Sequence, residues 1–233
     1  MTDHKIVSQE EWIKARTDFM KKEKELTHLR ERLAEERRQL PWVKIEKNYT
    51  FDAPTGPASL SDLFNGRSQL VVYHFMFGAD WQEGCKSCSF WADNYDGSIE
   101  HLAARDVSLV AVSVGPLAKL QEFKTRMGWH FPWVSSANTD FSKDFHVWAS
   151  PEQIEKGETF YNFQKGNHYG EHMPGVSVFT TGEDGQIYHT YSCYARGLDP
   201  VNSTYQILDL TPKGRDEKDL PYPMAWVNHH DKY

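Results

Sequence analysis

Two cysteines three residues apart are the most reactive pair of side chains in this sequence. Cys85 and Cys88 lie in the segment Gly84-Cys85-Lys86-Ser87-Cys88, directly after an apolar run. Thiols at this spacing can exchange electrons as a dithiol, hold a metal ion, or pack as small apolar groups. The elements on either side of the pair indicate which chemistry is available.

Dithiol exchange requires an accessible thiolate with a lowered pKa and a second thiol within reach. The run before the pair predicts a buried strand and the residues after it predict a helix, so Cys85 falls at a helix N-terminus. The unsatisfied N–H groups there favour a thiolate. Cys88 falls in the first turn, within disulfide reach. Lys86 adds a positive charge that Asp80 and Glu83 partly oppose. We therefore expect Cys85 to be the nucleophile and Cys88 the resolving thiol.

A metal site is the alternative chemistry for the same cysteines. Cys85 and Cys88 give a Cys-x2-Cys spacing, and His168 and His172 give a His-x3-His spacing. Both spacings occur in tetrahedral zinc sites, and thiolate and imidazole also suit copper. The two halves are separated by about 80 residues, far more than in a compact zinc finger. We therefore treat the metal site as the weaker alternative and expect no cofactor.

Residues beside the pair are candidates for contacting a substrate. Trp81 precedes Cys85 by four residues in a polar loop, and Lys86 and Ser87 lie between the cysteines. His172 and Met173 precede a proline that stands before a predicted hairpin. The third cysteine, Cys193, is expected to be a small buried apolar residue, with a redox role as the minor alternative.

The first 41 residues predict a long helical arm. Ser8 and Glu11 form a capping box, and Pro41 stands where a helix must stop. Apolar residues recur every seven positions on this otherwise charged helix, at Trp12, Phe19, Leu26, Leu33 and Leu40. Such a narrow seam fits packing against its own domain or against a second copy, so a homodimer through this helix is one expectation.

Strand and helix patterns alternate from Trp42 onward. Buried strands are predicted at SQLVVYHFMF, VSLVAVSV and FPWVSS, with helices at CSFWADNYDGSIEHLAARD and PLAKLQEFKTRMG between them. A strand, a Pro/Gly turn and a short helix are predicted in KNYTFDAPTGPASLSDLFNG, a hairpin in GVSVFTTGEDGQIYHTYSCY, and a last helix in VNSTYQILDL. This order predicts an α/β domain over residues 42–210, with a central mixed sheet flanked by helices. Residues 138–172 remain unassigned, and the tail 211–233 is expected to pack on the surface.

Composition narrows the classes of function. The chain has 233 residues and a net charge of −7, which argues against nucleic-acid binding. No stretch is apolar enough for a signal sequence or a membrane span, so we expect a cytoplasmic protein without a membrane partner. Three cysteines do not make a disulfide framework, and in a reducing compartment a close pair favours catalysis or metal binding.

Several long motifs resemble a known family. They are YHFMFGADWQEGCKSCSFWADN, RMGWHFPWVSS, GVSVF, HTYSCYARGLD, the closing HDKY and, in the arm, KEKELTHLRERLAEERRQLPW. Together they are similar to a bacterial thioredoxin-like family, domain of unknown function 899, of predicted dithiol–disulfide oxidoreductases. The resemblance implies a thioredoxin-like fold with Cys85 and Cys88 as the redox pair. It implies no particular substrate.

The thioredoxin architecture also implies a role for Pro174. In that architecture a cis-proline precedes the penultimate strand and faces the cysteine pair, and Pro174 stands directly before the predicted hairpin. Residues 49–75 also look like the corresponding segment of peroxiredoxins. Those enzymes carry Pro-x-x-x-Thr/Ser-x-x-Cys, whereas the run before Cys85 is ADWQEG. This departure argues against peroxidase activity.

The sequence therefore predicts a cytoplasmic thiol–disulfide oxidoreductase in which Cys85, Cys88 and Pro174 form the catalytic site. Its partners would be a protein or small-molecule thiol or disulfide substrate and an unidentified reductant. Two alternatives stay open. One is a metal-binding thioredoxin-like protein that uses His168 or His172 with the cysteines. The other is a non-enzymatic interaction protein that acts through the helical seam.

Overall fold

The computed structural model describes residues 4–233, and the chain divides after Pro41 into two compact units. The first contains helix α1 (Gln9–Arg38). The second runs from Trp42 to Tyr233 as a single unit. Residues 42–210 and the tail 211–233 belong to this same unit.

Helix α1 begins and ends where its sequence signals predict. Glu11 N–H donates to Ser8 Oγ at 3.2 Å, and Ser8 N–H donates to Glu11 Oε2 at 3.0 Å, which completes the capping box. Arg37 and Arg38 occupy the last turn, where a positive charge interacts favourably with the helix dipole. The predicted long N-terminal helix is confirmed.

The second unit contains ten strands and six α-helices among the described residues. The strands are β1 (Val43–Lys44), β2 (Thr50–Ala53), β3 (Gly56–Ser59), β4 (Gln69–His74), β5 (Val107–Ser113), β6 (Trp133–Ser135), β7 (Phe160–Tyr161), β8 (Gln164–Lys165), β9 (Gly175–Thr181) and β10 (Ile187–Tyr194). The helices are α2 (Lys86–Ala92), α3 (Ile99–Ala103), α4 (Leu117–Arg126), α5 (Phe141–Asp144), α6 (Pro151–Glu155) and α7 (Ser203–Leu208). Short 3₁₀ helices cover Asp62–Phe64, Asp96–Ser98, Ala195–Val201 and His230–Lys232.

Eight strands form one mixed sheet in the order β1-β10-β9-β4-β5-β6-β2-β3. Strand β4 is central, parallel to β5 and antiparallel to β9, and β5 is parallel to β6. Strands β9 and β10 form the predicted hairpin. The parallel strands β4 and β5 are joined through the cysteine-bearing helix, and the antiparallel hairpin β9–β10 flanks them. This is the thioredoxin-like arrangement, so the predicted fold class is confirmed.

The central strands bury both faces, which explains their nearly continuous apolar sequence. Alternate residues point to opposite sides of the sheet. The larger core contains residues of α2 and α4 together with Tyr73, Leu109, Ala111 and Trp133. A second core contains Phe141 of α5 and the adjacent Phe145, together with Leu70, Val72, Val110, Val112 and Val134. The cysteine helix is therefore packed against the rigid centre of the sheet.

Two local predictions change in the structure. The segment expected to turn into a helix after β2 instead makes the hairpin β2–β3, because Gly56 adopts a positive φ of 108° and returns the chain. The following helix is only the 3₁₀ turn Asp62–Phe64, and Asp62 N–H donates to Ser59 Oγ at 3.2 Å. Among residues 4–233, no helix combines the length and hydrophobicity that crossing a membrane requires.

Candidate functional site

The cysteine pair lies where the chain leaves the central strand and enters α2. Cys85 caps α2, and its carbonyl accepts a hydrogen bond from Ser89 N–H at 2.9 Å. Its own N–H donates to the Met76 carbonyl at 3.1 Å, which ties the start of the helix to the residues after β4. Cys85 is half-buried, whereas Cys88 is 2% exposed. Cys85 is therefore the more exposed residue of the pair.

Hydrogen bonds make the two thiols electrostatically unequal. The Cys88 side chain donates to the Cys85 sulfur and lowers the pKa of Cys85 to about 7. Burial opposes this shift, while the N–H groups of Cys88 and Ser87 and the Ser87 hydroxyl support it. Burial, followed by the adjacent Cys85 thiolate, raises the pKa of Cys88 well above its usual value. Cys85 is thus the more acidic of the two thiols, and Cys88 keeps its proton near neutral pH.

The main chain around Cys88 is held from the sheet side. The Tyr73 hydroxyl donates to the Cys88 carbonyl at 3.1 Å, and Met76 N–H donates to the Cys88 sulfur at 3.5 Å. Neither Cys85 nor Cys88 is in a disulfide. Residues at positions i and i+3 of a helix have neighbouring side chains, so a disulfide between them needs little movement.

Pro174 lies beside the site, but with a different peptide geometry from the one expected. The register of β4 with β9 pairs His74 with Gly175, so Pro174 lies next to the end of β4. Its peptide bond is trans, as are the other peptide bonds of residues 4–233, and the predicted cis-proline is therefore wrong. Trans is the usual isomer before proline, and here the Pro174 carbonyl accepts a hydrogen bond from Tyr161 at 2.7 Å.

Trp81 and His172 meet on one side of the loop that precedes Cys85. Their rings are in edge contact with centroids 5.2 Å apart. Gly78 permits this contact, because a Cβ there would lie 2.7 Å from His172 Nε2 and 2.9 Å from Trp81 Nε1. Burial lowers the pKa of the half-buried His172, so its imidazole is neutral near pH 7.

The other predicted substrate contacts have different surroundings. Ser87 lines a cavity beside Cys88. Lys86 is half-buried, and its ammonium group donates to the Ala225 carbonyl at 3.4 Å. Met173 is 1% exposed and packs in a small core with Val147, Tyr161 and Tyr194, so we no longer expect its side chain to contact a substrate.

The four residues of the metal alternative do not come together. His168 is held by the main chain, with its two ring nitrogens 3.2 Å from the carbonyls of Gly170 and His146. Within residues 4–233, no three Cys, His, Asp or Glu side chains form a group able to hold a metal ion. This geometry gives no support to the alternative that joins His168 and His172 to the cysteines, which stays a prediction.

Cys193 lies on the same face of the sheet as Cys88. It pairs across the hairpin with Val176, which pairs in turn with Tyr73 on β4. Its side chain is partly exposed and packs against the larger core. This matches the predicted small apolar role, with less burial than expected.

A cavity of about 550 Å³ opens beside Cys88 and was not predicted from the sequence. Ser87, Cys88 and Pro174 form its side nearest the thiols. Its opposite wall comes from the tail, through Arg215, Glu217, Tyr222, Pro223 and Met224. The tail therefore builds part of the site, and it does so through residues whose spacing carries no recognisable motif.

The end of the tail also fixes the loop that carries Cys85. His229 is 6% exposed, and its Nε2 lies 2.8 Å from the Gly84 carbonyl oxygen. Arg126 Nη1 donates to Glu83 at 2.6 Å, and Lys232 Nζ donates to Glu83 at 2.7 Å. Arg126 also pairs with Asp231. Asp231 and Lys232 belong to the closing motif HDKY, but nothing in that motif indicated Arg126 or Glu83 as their partners.

Solved structures of peroxiredoxins are similar to this chain at low identity. Peroxidoxin BcpB from Mycobacterium tuberculosis is 16% identical, with a TM-score of 0.48, over 72% of this chain and 97% of that one. A cysteine-to-serine mutant of PrxQ from Xylella fastidiosa is 12% identical with a TM-score of 0.46, over 71% and 94% of the two chains. A cysteine-to-serine mutant of peroxiredoxin Q from Xanthomonas campestris is 13% identical with a TM-score of 0.45, over 68% and 90%.

Comparison at the level of sequence families gives a match over the full length. No curated protein matches the sequence. The family model described as "Bacterial protein of unknown function (DUF899)" matches residues 1–233. The chain, with its cysteine pair on α2 and its closing tail, is a member of this DUF899 family.

Proposed function

We propose that the protein is a thiol–disulfide oxidoreductase that uses the Cys85–Cys88 dithiol. The observation that carries the proposal is the inequality of the two thiols. Cys85 is half-buried with a pKa near 7, whereas Cys88 is fully buried, protonated and one helical turn away. A purely structural pair gains nothing from this difference, whereas disulfide exchange requires it.

The reaction proceeds in two exchanges. The Cys85 thiolate attacks one sulfur of a substrate disulfide, the substrate S–S bond breaks, and the first substrate thiolate leaves and takes up a proton. Cys88 then loses its proton and attacks the Cys85 sulfur of the mixed disulfide. The second substrate thiol leaves and a Cys85–Cys88 disulfide remains. Two electrons pass to the substrate, and a thiol reductant returns the enzyme to the dithiol.

Surrounding groups support each exchange. The hydrogen bonds to the Cys85 sulfur stabilise the attacking thiolate. Burial keeps Cys88 protonated until the mixed disulfide removes the negative charge from Cys85. Pro174 and Ser87 line the space beside the thiols, where the substrate would lie. A non-enzymatic interaction protein would instead be expected to leave Cys85 near the free-cysteine pKa of about 8.5.

Trapping of the mixed disulfide tests this mechanism. The Cys88→Ser variant should accumulate a covalent adduct on Cys85 when mixed with hydroxyethyl disulfide, because the resolving thiol is absent. Cys85→Ser should form no adduct, and Cys193→Ser should behave as the wild type. Intact mass spectrometry followed by peptide mapping gives the readout. An adduct of equal yield in the Cys85→Ser variant would contradict the assignment of the nucleophile.

A further inference from the structure

The cavity beside Cys88 has the form of a small-molecule site. Its volume of about 550 Å³ lies within the range of roughly 300–1,000 Å³ that is typical of ligand pockets. It is bounded by the start of α2, the residues before β9, the 3₁₀ helix after β10 and the tail. Because it includes Ser87 and Cys88, a group bound in it lies next to the disulfide-forming pair.

The charged side chains that line the cavity are already paired. Arg215 donates to both Asp209 oxygens at 2.8 Å and to Asp199 at 2.9 Å. Arg196 donates to Asp199 at 3.1 Å and is 80% exposed, so its guanidinium lies at the rim. Two arginines and the carboxylates of Asp199 and Glu217 leave this lining with no net charge.

Three donors make hydrogen bonds to one carboxylate oxygen of Glu217. Tyr205 Oη and Trp226 Nε1 each donate to Glu217 Oε1 at 2.7 Å, and Met224 N–H donates at 2.9 Å. The Arg215 guanidinium lies 3.9 Å from the centre of the Tyr205 ring, a cation–π contact that orients it further. A charged ligand group would have to compete with these contacts, so the site disfavours both carboxylates and ammonium groups.

Much of the remaining lining is apolar, and two of its polar tips are occupied by hydrogen bonds. Trp91 Nε1 donates to the Leu198 carbonyl at 2.9 Å, and the Tyr73 hydroxyl is used on the Cys88 carbonyl. These residues, with Met76, therefore present ring and aliphatic carbon to the cavity. Apolar walls with few available hydrogen-bonding groups favour an uncharged aromatic or bulky aliphatic ligand.

We propose that this cavity binds the uncharged apolar substituent of a small disulfide substrate and so places its sulfur at Cys85. The inference rests on the oxidoreductase function proposed above and adds the substrate class. The balanced reaction is one apolar disulfide plus the Cys85–Cys88 dithiol giving two apolar thiols and the enzyme disulfide. The disulfide is the oxidant, so a single turnover needs no other reactant.

Single-turnover rates with four symmetrical alkyl disulfides test the substrate class. The reduced protein is mixed with phenethyl, hydroxyethyl, aminoethyl or carboxyethyl disulfide, and formation of the enzyme disulfide is followed. Each rate is divided by the rate of free dithiothreitol with the same disulfide, which removes leaving-group differences. Because burial of a phenyl group contributes about 1.5–3 kcal/mol, the normalised phenethyl rate should exceed each of the others by at least about tenfold and should saturate.

Two substitutions at Met224, on the tail wall of the cavity, give a matched comparison. Met224→Glu places a charge among the apolar groups and should lower the phenethyl-to-hydroxyethyl rate ratio by at least about tenfold. Met224→Leu keeps an apolar side chain and should hold that ratio within about threefold. Equal normalised rates for all four disulfides, or equal ratios in the two variants, would overturn the cavity assignment alone. No oxidation of the pair by any of the disulfides would instead reject the oxidoreductase function.

Discussion

Removing the Cys88 thiol tests the origin of the low Cys85 pKa. The Cys88 side chain makes the largest contribution to that lowering, through its hydrogen bond to the Cys85 sulfur. The Cys88→Ala variant removes the donor, whereas Cys88→Ser keeps a hydroxyl donor at the same position. We expect the Cys85 pKa to rise towards about 8.5 in the alanine variant and to stay well below that value in the serine variant.

The size of the effect follows from two opposing terms. At pH 7 a thiol of pKa about 7 is roughly half ionised, whereas one of pKa about 8.5 is roughly 3% ionised, a loss of about sixteenfold. The more basic thiolate is intrinsically more nucleophilic by about fivefold, from a Brønsted coefficient of roughly 0.45 over about 1.5 pKa units. Cys88→Ala should therefore react about three- to fourfold more slowly than the wild type at pH 7. Above about pH 9.5 it should react about fivefold faster.

Alkylation of Cys85 by iodoacetamide as a function of pH measures this effect. A Cys193→Ser background is used, and the modified peptide is quantified by mass spectrometry. The wild-type rate should rise with pH and level off above its midpoint near pH 7, because the thiolate is the reacting form. The curves of the wild type and Cys88→Ala should cross. An alanine variant that keeps its midpoint near pH 7, or a wild type that titrates near pH 8.5, would refute the hydrogen-bond explanation.

Two further predictions concern the tail and the arm. His229→Ala removes the buried contact with the Gly84 carbonyl and should lower the free energy of unfolding by about 2–3 kcal/mol in urea denaturation, whereas the more exposed His230→Ala should cost less than about 1 kcal/mol. Equal losses would contradict a specific role for the buried imidazole. If the helical seam pairs with a second copy, Leu26→Glu should shift the protein from dimer to monomer in analytical ultracentrifugation. The control Lys24→Glu, on the opposite face of the helix, should leave the dimer intact. A wild type that is monomeric at all concentrations rejects the dimer.

The central strands, the cysteine helix and the closing hairpin were predictable because each is governed by local pattern. Strands β4 and β5 are mostly apolar because both their faces are covered. The capping box of α1 and the break between α2 and α3 at Gly97 likewise follow from residues within a few positions of each other. Such features depend on short-range geometry, which a single sequence contains.

Features that depend on distant partners were not predictable in the same way. Residues 138–172 form two short helices and the small hairpin β7–β8, and they are held by contacts such as the bridge between Trp148 and His172. The tail is polar and rich in proline, so its composition suggested a surface segment. Only Val227 and His229 are buried in it, and the tail is held by single contacts across the chain, such as that of His229 with Gly84. No local pattern encodes such a pairing.

The candidate site likewise combines features that local sequence predicts with features that depend on distant parts of the chain. The roles proposed for Cys85 and Cys88 follow from their place at the start of a helix, and the structure adds the hydrogen bonds that make the two thiols unequal. The cis geometry expected at Pro174 was carried over from an architecture, and the peptide bond before Pro174 is trans. The cavity could not be predicted because its walls come from segments that lie far apart in the sequence.

The most direct test of the central claim is native intact mass spectrometry of the purified protein as isolated, after mild peroxide and after reductant. The account predicts a reversible loss of two hydrogen atoms that maps to Cys85 and Cys88, with no metal adduct. A metal adduct that protects both thiols from oxidation would contradict it, as would an oxidised form in which the two cysteines are not joined.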